Sequence, residues 1–315
     1  MKQNNVMLMH PLHPNAMTQI CDTFIVHRYD LADEKIEFLK RYGSDCTGIA
    51  INGHTRLSKD ELDYFPNLEI VSCSSAGYEK IDTGELKKRN IALTNTSKAL
   101  VDDVADLALL LTLATQRKLI LAHNYVKMGA WGKDGMFPLL SCNKGKKVGI
   151  FGLGRIGVEI AKRLSPIGFE VAYYSRSQKN SSYKYFNSLE ALAAYSDILI
   201  VVVPGGKETE CVINKHILSR LGANGILINV ARGSVVHEPH LIAALKDGTI
   251  AAAGLDVYWN EPNPDTELTS LNNVTLYPHH ASGTEETRQA MSQLAVDNLI
   301  AHYQGCSLIT PVKLK

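Results

Sequence analysis

The sequence predicts an α/β protein that is built from parallel sheets and divided into about two domains. Short β-branched runs alternate with helical patterns along the chain, as repeated βαβ units require. Two of these runs are nearly continuous in apolar residues, which is typical of strands buried on both faces: ILIVVV is apolar at every position, and GILINV has Asn229 as its one polar residue. The chain has 315 residues, 45% of them hydrophobic, which is enough for two cores.

Five apolar runs are predicted strands, at residues 46–53, 68–75, 146–152, 197–204 and 224–231. Residues 101–118 predict a long buried helix because VDDVADLALLLTLATQRK is rich in leucine. The stretch ETRQAMSQLAVDNLIAHYQG, after residue 284, predicts one amphipathic helix. A tail this short does not fold alone, so we expect it to pack on the amino-terminal domain.

The composition argues against polyanionic partners. There are 33 Lys and Arg against 32 Asp and Glu, a net charge of +1, so we expect a small-molecule substrate and neither nucleic acid nor membrane. The start, MKQNNVMLMHPLHP, lacks the apolar core of a signal peptide, and we expect a cytoplasmic location. Six cysteines without a C-x-x-C pair predict reduced thiols, mostly in the core, and no metal site.

A glycine motif predicts a dinucleotide site. G-x-G-x-x-G at residues 152–157 lies between an apolar strand and the helical pattern VEIAKRL. The first glycine permits the tight turn, the second lets a pyrophosphate approach the backbone, and the third lets the helix pack on the strand. The alternative is a purely structural glycine turn. The predicted cofactor contacts are Gly152, Leu153, Gly154, Arg155 and Ile156.

The next strand, EVAYY, lacks the acid that holds the ribose of NAD at its end. It continues into Ser175, Arg176 and Ser177, and Ser175 stands where that acid would be. A carboxylate would repel a 2′-phosphate, whereas two hydroxyls and a guanidinium can bind it. We therefore expect NADP(H) as the preferred cofactor, with NAD(H) as a second candidate. The alternative is a polar loop with an incidental arginine.

Four blocks carry a resemblance to a known family. They are SSAGYEKID (74–82), the glycine motif, NVARGSVV (229–236), and GLDVYWNEP (254–262) with PHHASGTEETR (278–288). In this order, and over nearly the whole chain, the sequence resembles the D-isomer-specific 2-hydroxyacid dehydrogenases. Within them it is similar to the NADP(H)-preferring branch of glyoxylate, hydroxypyruvate and hydroxyphenylpyruvate reductases.

The resemblance implies two doubly wound parallel-sheet domains with a cleft between them. Residues 1–98 plus 287–315 would form a flavodoxin-like substrate domain, and residues 99–286 a Rossmann cofactor domain. Hinges would lie near residues 98–101 and 285–288.

The implied activity is NADPH-dependent reduction of small 2-oxo acids to D-2-hydroxy acids by hydride transfer. Glyoxylate and hydroxypyruvate are the expected substrates, with hydroxyphenylpyruvate and 2-ketogluconate as further candidates. Arg232 would bind the oxo acid, although a surface salt bridge is its alternative role. His279 would be the general acid and base, oriented by Glu261, which otherwise lies in a solvated turn. The motif places the histidine directly after the proline, which favours His279 over His280.

Further residues take their roles from the same resemblance. The substrate carboxylate would bind at Ser75, Ala76 and Gly77, a stretch that could also be an ordinary strand exit. Trp131 would line the pocket of the neighbouring subunit in a homodimer, with core packing as its alternative. The remaining expected cofactor contacts are Val203, Pro204, Val230, Asp256, His279 and Gly283.

One alternative function and one departure from the family pattern remain. A dinucleotide-sensing, corepressor-like regulatory protein of the same fold would carry partner-binding extensions, which we do not expect here. After Pro204 the chain reads GGKETE, where relatives usually carry larger residues before the acid and threonine, so we expect a looser loop.

Overall fold

A computed structural model describes residues 4–314, which form two compact units. The first unit contains residues 4–100 and 282–314, and the second contains residues 101–281. Every strand pairing in both sheets is parallel. The predicted α/β class with two parallel sheets is therefore confirmed.

The first unit has a five-stranded sheet in the order β2-β1-β3-β4-β5, which is the flavodoxin-like order. The strands are β1 (Asn5–Leu8), β2 (Ile25–Arg28), β3 (Gly48–Ile51), β4 (Ile70–Cys73) and β5 (Ala92–Thr94). The helices are α1 (Pro14–Thr23), α2 (Lys35–Tyr42), α3 (Lys59–Leu62), α4 (Thr83–Lys88) and, after the second unit, α13 (Glu285–Tyr303).

Both faces of this sheet are covered, because alternate residues of each strand enter different cores. Met7 and Ile49 belong to one cluster, whereas Val6 and Ala50 belong to another. The strands β3 and β4 are buried at every residue. This explains why their sequences show no polar alternation.

The carboxyl-terminal segment is held to the first unit by buried hydrogen bonds. The Ser72 hydroxyl on β4 donates to the Ala295 carbonyl on α13 at 2.8 Å. Asn298, fully buried, accepts the backbone N–H groups of Ile309 and Thr310 at 3.0 and 3.1 Å. These bonds order the chain after α13 as well as the helix itself.

The second unit has a seven-stranded sheet in the order β12-β11-β10-β9-β6-β7-β8. The strands are β6 (Lys147–Phe151), β7 (Glu170–Tyr174), β8 (Lys184–Phe186), β9 (Ile198–Val201), β10 (Ile226–Asn229), β11 (Ala252–Leu255) and β12 (Val274–Leu276). The helices are α5 (Val101–Gln116), α6 (Leu119–Lys127), α7 (Ala130–Asp134), α8 (Arg155–Leu164), α9 (Leu189–Tyr195), α10 (Lys215–Leu221), α11 (Glu238–Lys246) and α12 (Thr266–Thr269).

The strand order reverses between β6 and β9, which is where open α/β sheets bind ligands at the carboxyl ends of their strands. The helix predicted over residues 101–118 is α5, and nine of its residues are buried. Arg163 on α8 pairs with Asp102 and Asp106 on α5 at 2.8 and 2.6 Å. The helix that begins at the glycine motif is thereby fastened to the buried helix beside it.

The cysteines are free thiols, but the expectation that most lie in the core is wrong. Only Cys46 and Cys73 are buried, while Cys142 and Cys306 are exposed. The general tendency of cysteine to be buried does not predict whether a particular cysteine, at a helix end or in a loop, faces solvent. Among residues 4–314, no three His, Cys, Asp or Glu side chains are grouped to hold a metal ion. Over the same residues, no helix combines the length and apolar character needed to cross a bilayer.

Candidate active site

The glycine turn between β6 and α8 has the shape of a phosphate cradle. Gly152 has φ of +110°, and a Cβ there would lie 2.7 Å from the Val202 carbonyl oxygen. A Cβ on Gly157 would lie 2.1 Å from the Gly152 carbonyl oxygen, so only glycine lets α8 approach this closely. A Cβ on Gly154, in contrast, would meet nothing within 4 Å. The turn is thus tightly packed at Gly152 and Gly157 and open to solvent-sized space at Gly154. This arrangement fits the approach of a dinucleotide pyrophosphate to the backbone.

The predicted contacts around this turn lie at its two ends. Leu153 is buried, and Arg155 and Ile156 are the first two residues of α8. The Val203 side chain lies 2.9 Å from where a Cβ on Gly152 would be. Two further predicted contacts of the second unit are Pro204, which is exposed after β9, and Val230, which is buried after β10.

The polar turn after β7 presents the residues predicted to select the cofactor. The Ser175 hydroxyl donates to the Ser177 carbonyl at 2.8 Å, which closes the turn on itself. Lys179, which the sequence analysis did not include, donates to the Ser177 hydroxyl at 3.2 Å and adds a second cation. Arg176 donates from Nη1 to the Glu208 carboxylate at 2.8 Å. Two cations and two hydroxyls therefore share one short turn at the carboxyl end of β7.

Arg232 is presented by a turn that its own buried neighbour shapes. β10 ends at Asn229, whose side chain accepts the Ala231 N–H at 3.0 Å and donates to the Arg232 carbonyl at 3.1 Å. The Arg232 Nη1 donates to the Ala231 carbonyl at 2.6 Å. A Cβ on Gly233 would lie 2.0 Å from the Tyr258 carbonyl oxygen, so this turn packs directly on the chain just before Glu261.

His279 and Glu261 form a close pair in the second unit. The His279 Nδ1 lies 2.6 Å from Glu261 Oε2, and both side chains are about one-quarter exposed, at 27% and 28%. The other carboxylate oxygen of Glu261 accepts the Tyr258 N–H at 2.9 Å. The carboxylate is thereby fixed at one oxygen and orients the imidazole with the other.

The backbone of His279 is held in an uncommon conformation. Its φ is +49°, in the left-handed region, where a non-glycine residue usually needs support. Its N–H donates to the Asp256 carbonyl at 2.7 Å, and the next N–H, of His280, donates to the Asp256 carboxylate at 2.8 Å. Such locally strained residues cluster at functional sites. The His280 side chain is exposed, and His280 takes part in the site through its backbone N–H bond to Asp256.

Asp256 is a buried carboxyl beside this pair. Its exposed fraction is 1%, and burial raises its pKa to about 6, despite the backbone N–H groups of His280 and Ala281 that it accepts. The group is thus able to change charge close to neutral pH. An acid with such a raised pKa is a common feature of active sites.

In the first unit, the turn after β4 offers two backbone donors. The Ser75 hydroxyl accepts the Gly53 N–H at 3.0 Å, and the Ala76 carbonyl accepts the Asn95 amide at 2.9 Å. A Cβ on Gly53 would lie 2.1 Å from the Gly77 carbonyl oxygen, so two strand exits meet here. Within residues 4–314, the N–H groups of Ala76 and Gly77 donate to no protein acceptor. They remain available for an anion such as a carboxylate.

Trp131 and Gly283 are the last two predicted residues of the site. Trp131, on α7, is 63% exposed, so the core-packing alternative does not hold within this chain. Gly283 belongs to the first unit, in the short segment before α13.

Glu238, which no sequence motif marks, supports this site. Glu238 is 6% exposed, accepts the Trp259 N–H at 3.1 Å, and has its pKa raised by burial. The Trp259 indole also donates to the Val236 carbonyl at 2.7 Å. These bonds fix the segment that leads to Glu261. A glutamate at a helix start ordinarily indicates a capping role near solvent, so nothing in the pattern marked it as buried.

A family model matches residues 109–281 of this chain. Its description is the NAD binding domain of D-isomer specific 2-hydroxyacid dehydrogenase. The matched residues include the glycine turn, the Arg232 turn and the Glu261–His279 pair. The match covers more than half of the chain and most of the second unit.

Relatives of known function match over nearly the whole length. A hydroxyphenylpyruvate reductase of Plectranthus scutellarioides is 40% identical over 99% of this chain and 100% of its own. The glyoxylate/hydroxypyruvate reductase A HPR2 of Arabidopsis thaliana is 42% identical over the same shares. An NADPH-dependent glyoxylate/hydroxypyruvate reductase of Sinorhizobium meliloti, solved with NADP and malonate, has a TM-score of 0.89 and 39% identity, covering 99% of this chain and 97% of that one. The chain therefore belongs to the D-isomer specific 2-hydroxyacid dehydrogenase family, in its reductase branch, and is an NAD(P)-dependent oxidoreductase.

Proposed function

We propose that this protein reduces small 2-oxo acids to D-2-hydroxy acids with NADPH. The observation that carries the proposal is the His279–Glu261 pair at 2.6 Å, with His279 held in a left-handed backbone conformation beside buried Asp256. Glyoxylate and hydroxypyruvate are the proposed substrates because relatives with these activities match the whole chain. Hydroxyphenylpyruvate and 2-ketogluconate are further candidates on the same ground.

The proton step is assigned to His279. The Nδ1–H donated to Glu261 leaves Nε2 as the atom that gives a proton to the forming alkoxide, or accepts one in the reverse direction. The Glu261 carboxylate accepts the Nδ1–H and so fixes which ring nitrogen faces the reacting group. Because Glu261 is itself fixed by the Tyr258 N–H, it keeps the ring in one orientation.

In the second unit, Arg232 is proposed to bind the 2-oxo acid; in the first unit, the amides of Ala76 and Gly77 are proposed to bind a carboxylate. A planar guanidinium can bond the carboxylate and the ketone oxygen of a 2-oxo acid together, and it polarises the carbonyl. The two backbone N–H groups suit one carboxylate. The first unit is thus the proposed substrate domain.

The second unit is the proposed cofactor domain. The bound nicotinamide dinucleotide would supply the hydride. The turn at Gly154 leaves open space for its pyrophosphate, and the Ser175–Ser177 turn offers donors of the type that binds a 2′-phosphate. Asp256 is assigned to orienting the nicotinamide carboxamide. The NADP complex of the Sinorhizobium meliloti relative supports the preference for NADPH.

We further propose a homodimer formed through an exposed apolar face of the second unit. Large apolar side chains between residues 119 and 139 are 50% to 96% exposed, which is unusual for a surface that stays in water. They are Leu119, Ile120, Val126, Met128, Trp131, Met136 and Leu139. A second copy of the chain would bury this face and would give Trp131 a neighbouring subunit to contact.

The dimer is tested by sedimentation velocity. Leu139→Ser, at a side chain 96% exposed, should shift the protein toward monomer. Ile36→Ser, at an apolar side chain 59% exposed on α2 of the first unit, is the matched control and should not. A Leu139→Ser variant that sediments as the native protein does, or a native protein that is monomeric, would contradict this interface.

The reaction is tested with a steady-state panel of small 2-oxo acids, each run with NADPH and with NADH. We expect oxidation of NADPH with glyoxylate or hydroxypyruvate. His279→Ala and Arg232→Ala should each lower kcat/KM by about two to four orders of magnitude, the usual worth of a positioned acid or an electrostatic clamp. Full activity in both variants would overturn the assignment. A corepressor-like protein would bind dinucleotide and show no turnover with any oxo acid in the panel.

A further inference from the structure

Arg176, the proposed partner of the 2′-phosphate, is already paired with a carboxylate of its own chain. Its Nη1 donates to Glu208 Oε2 at 2.8 Å. The bond uses one edge of the guanidinium, and Nε and Nη2 form another edge. Both side chains are largely exposed, at 75% and 68%. The pair is therefore accessible to an incoming ligand.

The position of this pair in the sheet connects it with the cofactor. Arg176 follows β7 and Glu208 follows β9, and these two strands flank β6 on either side. The glycine turn leaves the carboxyl end of β6. The Arg176–Glu208 bond thus spans the two loops that border the phosphate cradle, 32 residues apart in the chain.

The loop that carries Glu208 has a defined shape. The Thr209 hydroxyl donates to the carbonyls of Pro204 and Gly206 at 2.7 and 3.2 Å, and the Thr209 N–H donates to Gly206 at 2.9 Å. Gly206 has φ of +123°, a conformation that other residues rarely adopt. The loop is therefore tighter than its sequence GGKETE suggested, and Thr209 fixes the residue next to Glu208.

We propose that Glu208 is a specificity-determining residue that restrains the preference for NADPH over NADH. Its carboxylate neutralises part of the Arg176 charge and has the same sign as a 2′-phosphate, whose charge is near −2. NADPH must displace Glu208 or share Arg176 with it, whereas NADH carries an uncharged 2′-hydroxyl in place of the phosphate and is not repelled by the Glu208 carboxylate. The inference rests on the proposed role of Arg176 in cofactor binding.

The size of the effect follows from the exposure of the pair. Exposed ion pairs are weak, so freeing Arg176 should tighten NADPH binding by only ~2- to 5-fold. Salt screens exposed charges, so the effect should shrink as ionic strength rises from about 0.02 M to about 0.5 M.

The experiment measures dissociation constants of NADPH and NADH by fluorescence titration, without oxo acid. Glu208→Gln removes the charge and keeps the shape, and we expect the Kd for NADPH to fall ~2- to 5-fold with that for NADH unchanged. Glu210→Gln is the matched control, because it removes the same charge from an exposed position of the same loop. It should move the NADPH constant by less than Glu208→Gln does.

Repeating Glu208→Gln in an Arg176→Ala background completes the test. If the pair acts as proposed, Glu208→Gln has no selective effect there. An unchanged NADPH to NADH ratio in Glu208→Gln overturns the role of Glu208, as does the same selective gain without Arg176 or in Glu210→Gln. An Arg176→Ala variant that weakens NADPH and NADH equally overturns instead the proposed role of Arg176. The two failures are therefore distinguishable.

Discussion

Replacing Gly154 with alanine should separate cofactor affinity from folding. Gly154 has φ of −85° and ψ of −162°, which alanine adopts without strain, and an added Cβ would meet nothing within 4 Å. The free energy of unfolding should therefore change by no more than about 0.5 kcal/mol. The new methyl group nevertheless occupies the open space through which the pyrophosphate is proposed to approach the backbone.

The expected loss of affinity follows from the bonds at risk. Hydrogen bonds to a charged group contribute about 1.5–3 kcal/mol. At about 1.4 kcal/mol for each factor of ten, the Kd for NADPH should rise by about 10- to 150-fold. Fluorescence titration with NADPH and with NADH measures this change, and both cofactors should be affected alike because both contain the pyrophosphate. Urea denaturation measures the stability of the same preparation.

Gly157→Ala is the matched comparison within the same motif. Its Cβ would lie 2.1 Å from the Gly152 carbonyl oxygen, so α8 must move, at a cost of about 1–3 kcal/mol in the free energy of unfolding. Gly154→Ala that binds NADPH normally would refute the reasoning about the cradle. Equal destabilisation by the two substitutions would refute the reasoning about packing.

Three further variants test contacts within the first or the second unit. Asp256→Asn should flatten the pH dependence of stability. Because burial raises the pKa of Asp256 to about 6, its contribution to stability is present in acid and is lost as the pH rises through that value. Between about pH 4.5 and about pH 7 the native protein should lose about 2 kcal/mol of unfolding free energy relative to the variant, as measured by urea denaturation at both pH values. Asn298→Ala leaves the N–H groups of residues 309 and 310 without their acceptor, that of Thr310 in a buried position, and should lower the free energy of unfolding by about 2–4 kcal/mol. An unaffected midpoint in urea would contradict that role. Gly233→Ala places a Cβ 2.0 Å from the Tyr258 carbonyl oxygen, so thermal unfolding should show a lower midpoint, and kcat/KM should fall even where the variant is folded.

The local elements could be predicted because their signals are local. The run ILIVVV is apolar at every position, and GILINV is interrupted only by Asn229. The structure contains these runs in β9 and β10, in the middle of the sheet. The spacing of Gly152, Gly154 and Gly157 between a strand and a helix indicated the turn, because backbone conformation and close packing restrict those positions to glycine. The α/β class could likewise be predicted from local signals, because alternating strand and helix patterns are visible in the sequence.

The partners of the site residues were decided by the tertiary structure. Arg176 meets Glu208 only because the sheet order places β7 and β9 on either side of β6, and no local pattern specifies that order. The position of Glu238 at the start of a helix predicts a solvated side chain, but in the structure the side chain is buried against the chain before Glu261. The sequence GGKETE predicts a loose loop, whereas in the structure the Thr209 hydroxyl closes the loop by donating to the Pro204 carbonyl.

The sequence by itself thus determined the α/β class, the strands that coincide with its apolar runs, the glycine turn and the residue types available for chemistry. Only the tertiary structure decided which of these residues touch, how deeply Asp256 is buried, and that His279 adopts a left-handed backbone conformation. The physical reason is range. Propensity and periodicity act over a few neighbouring residues, whereas charge pairing and burial depend on segments that the chain brings together from far apart.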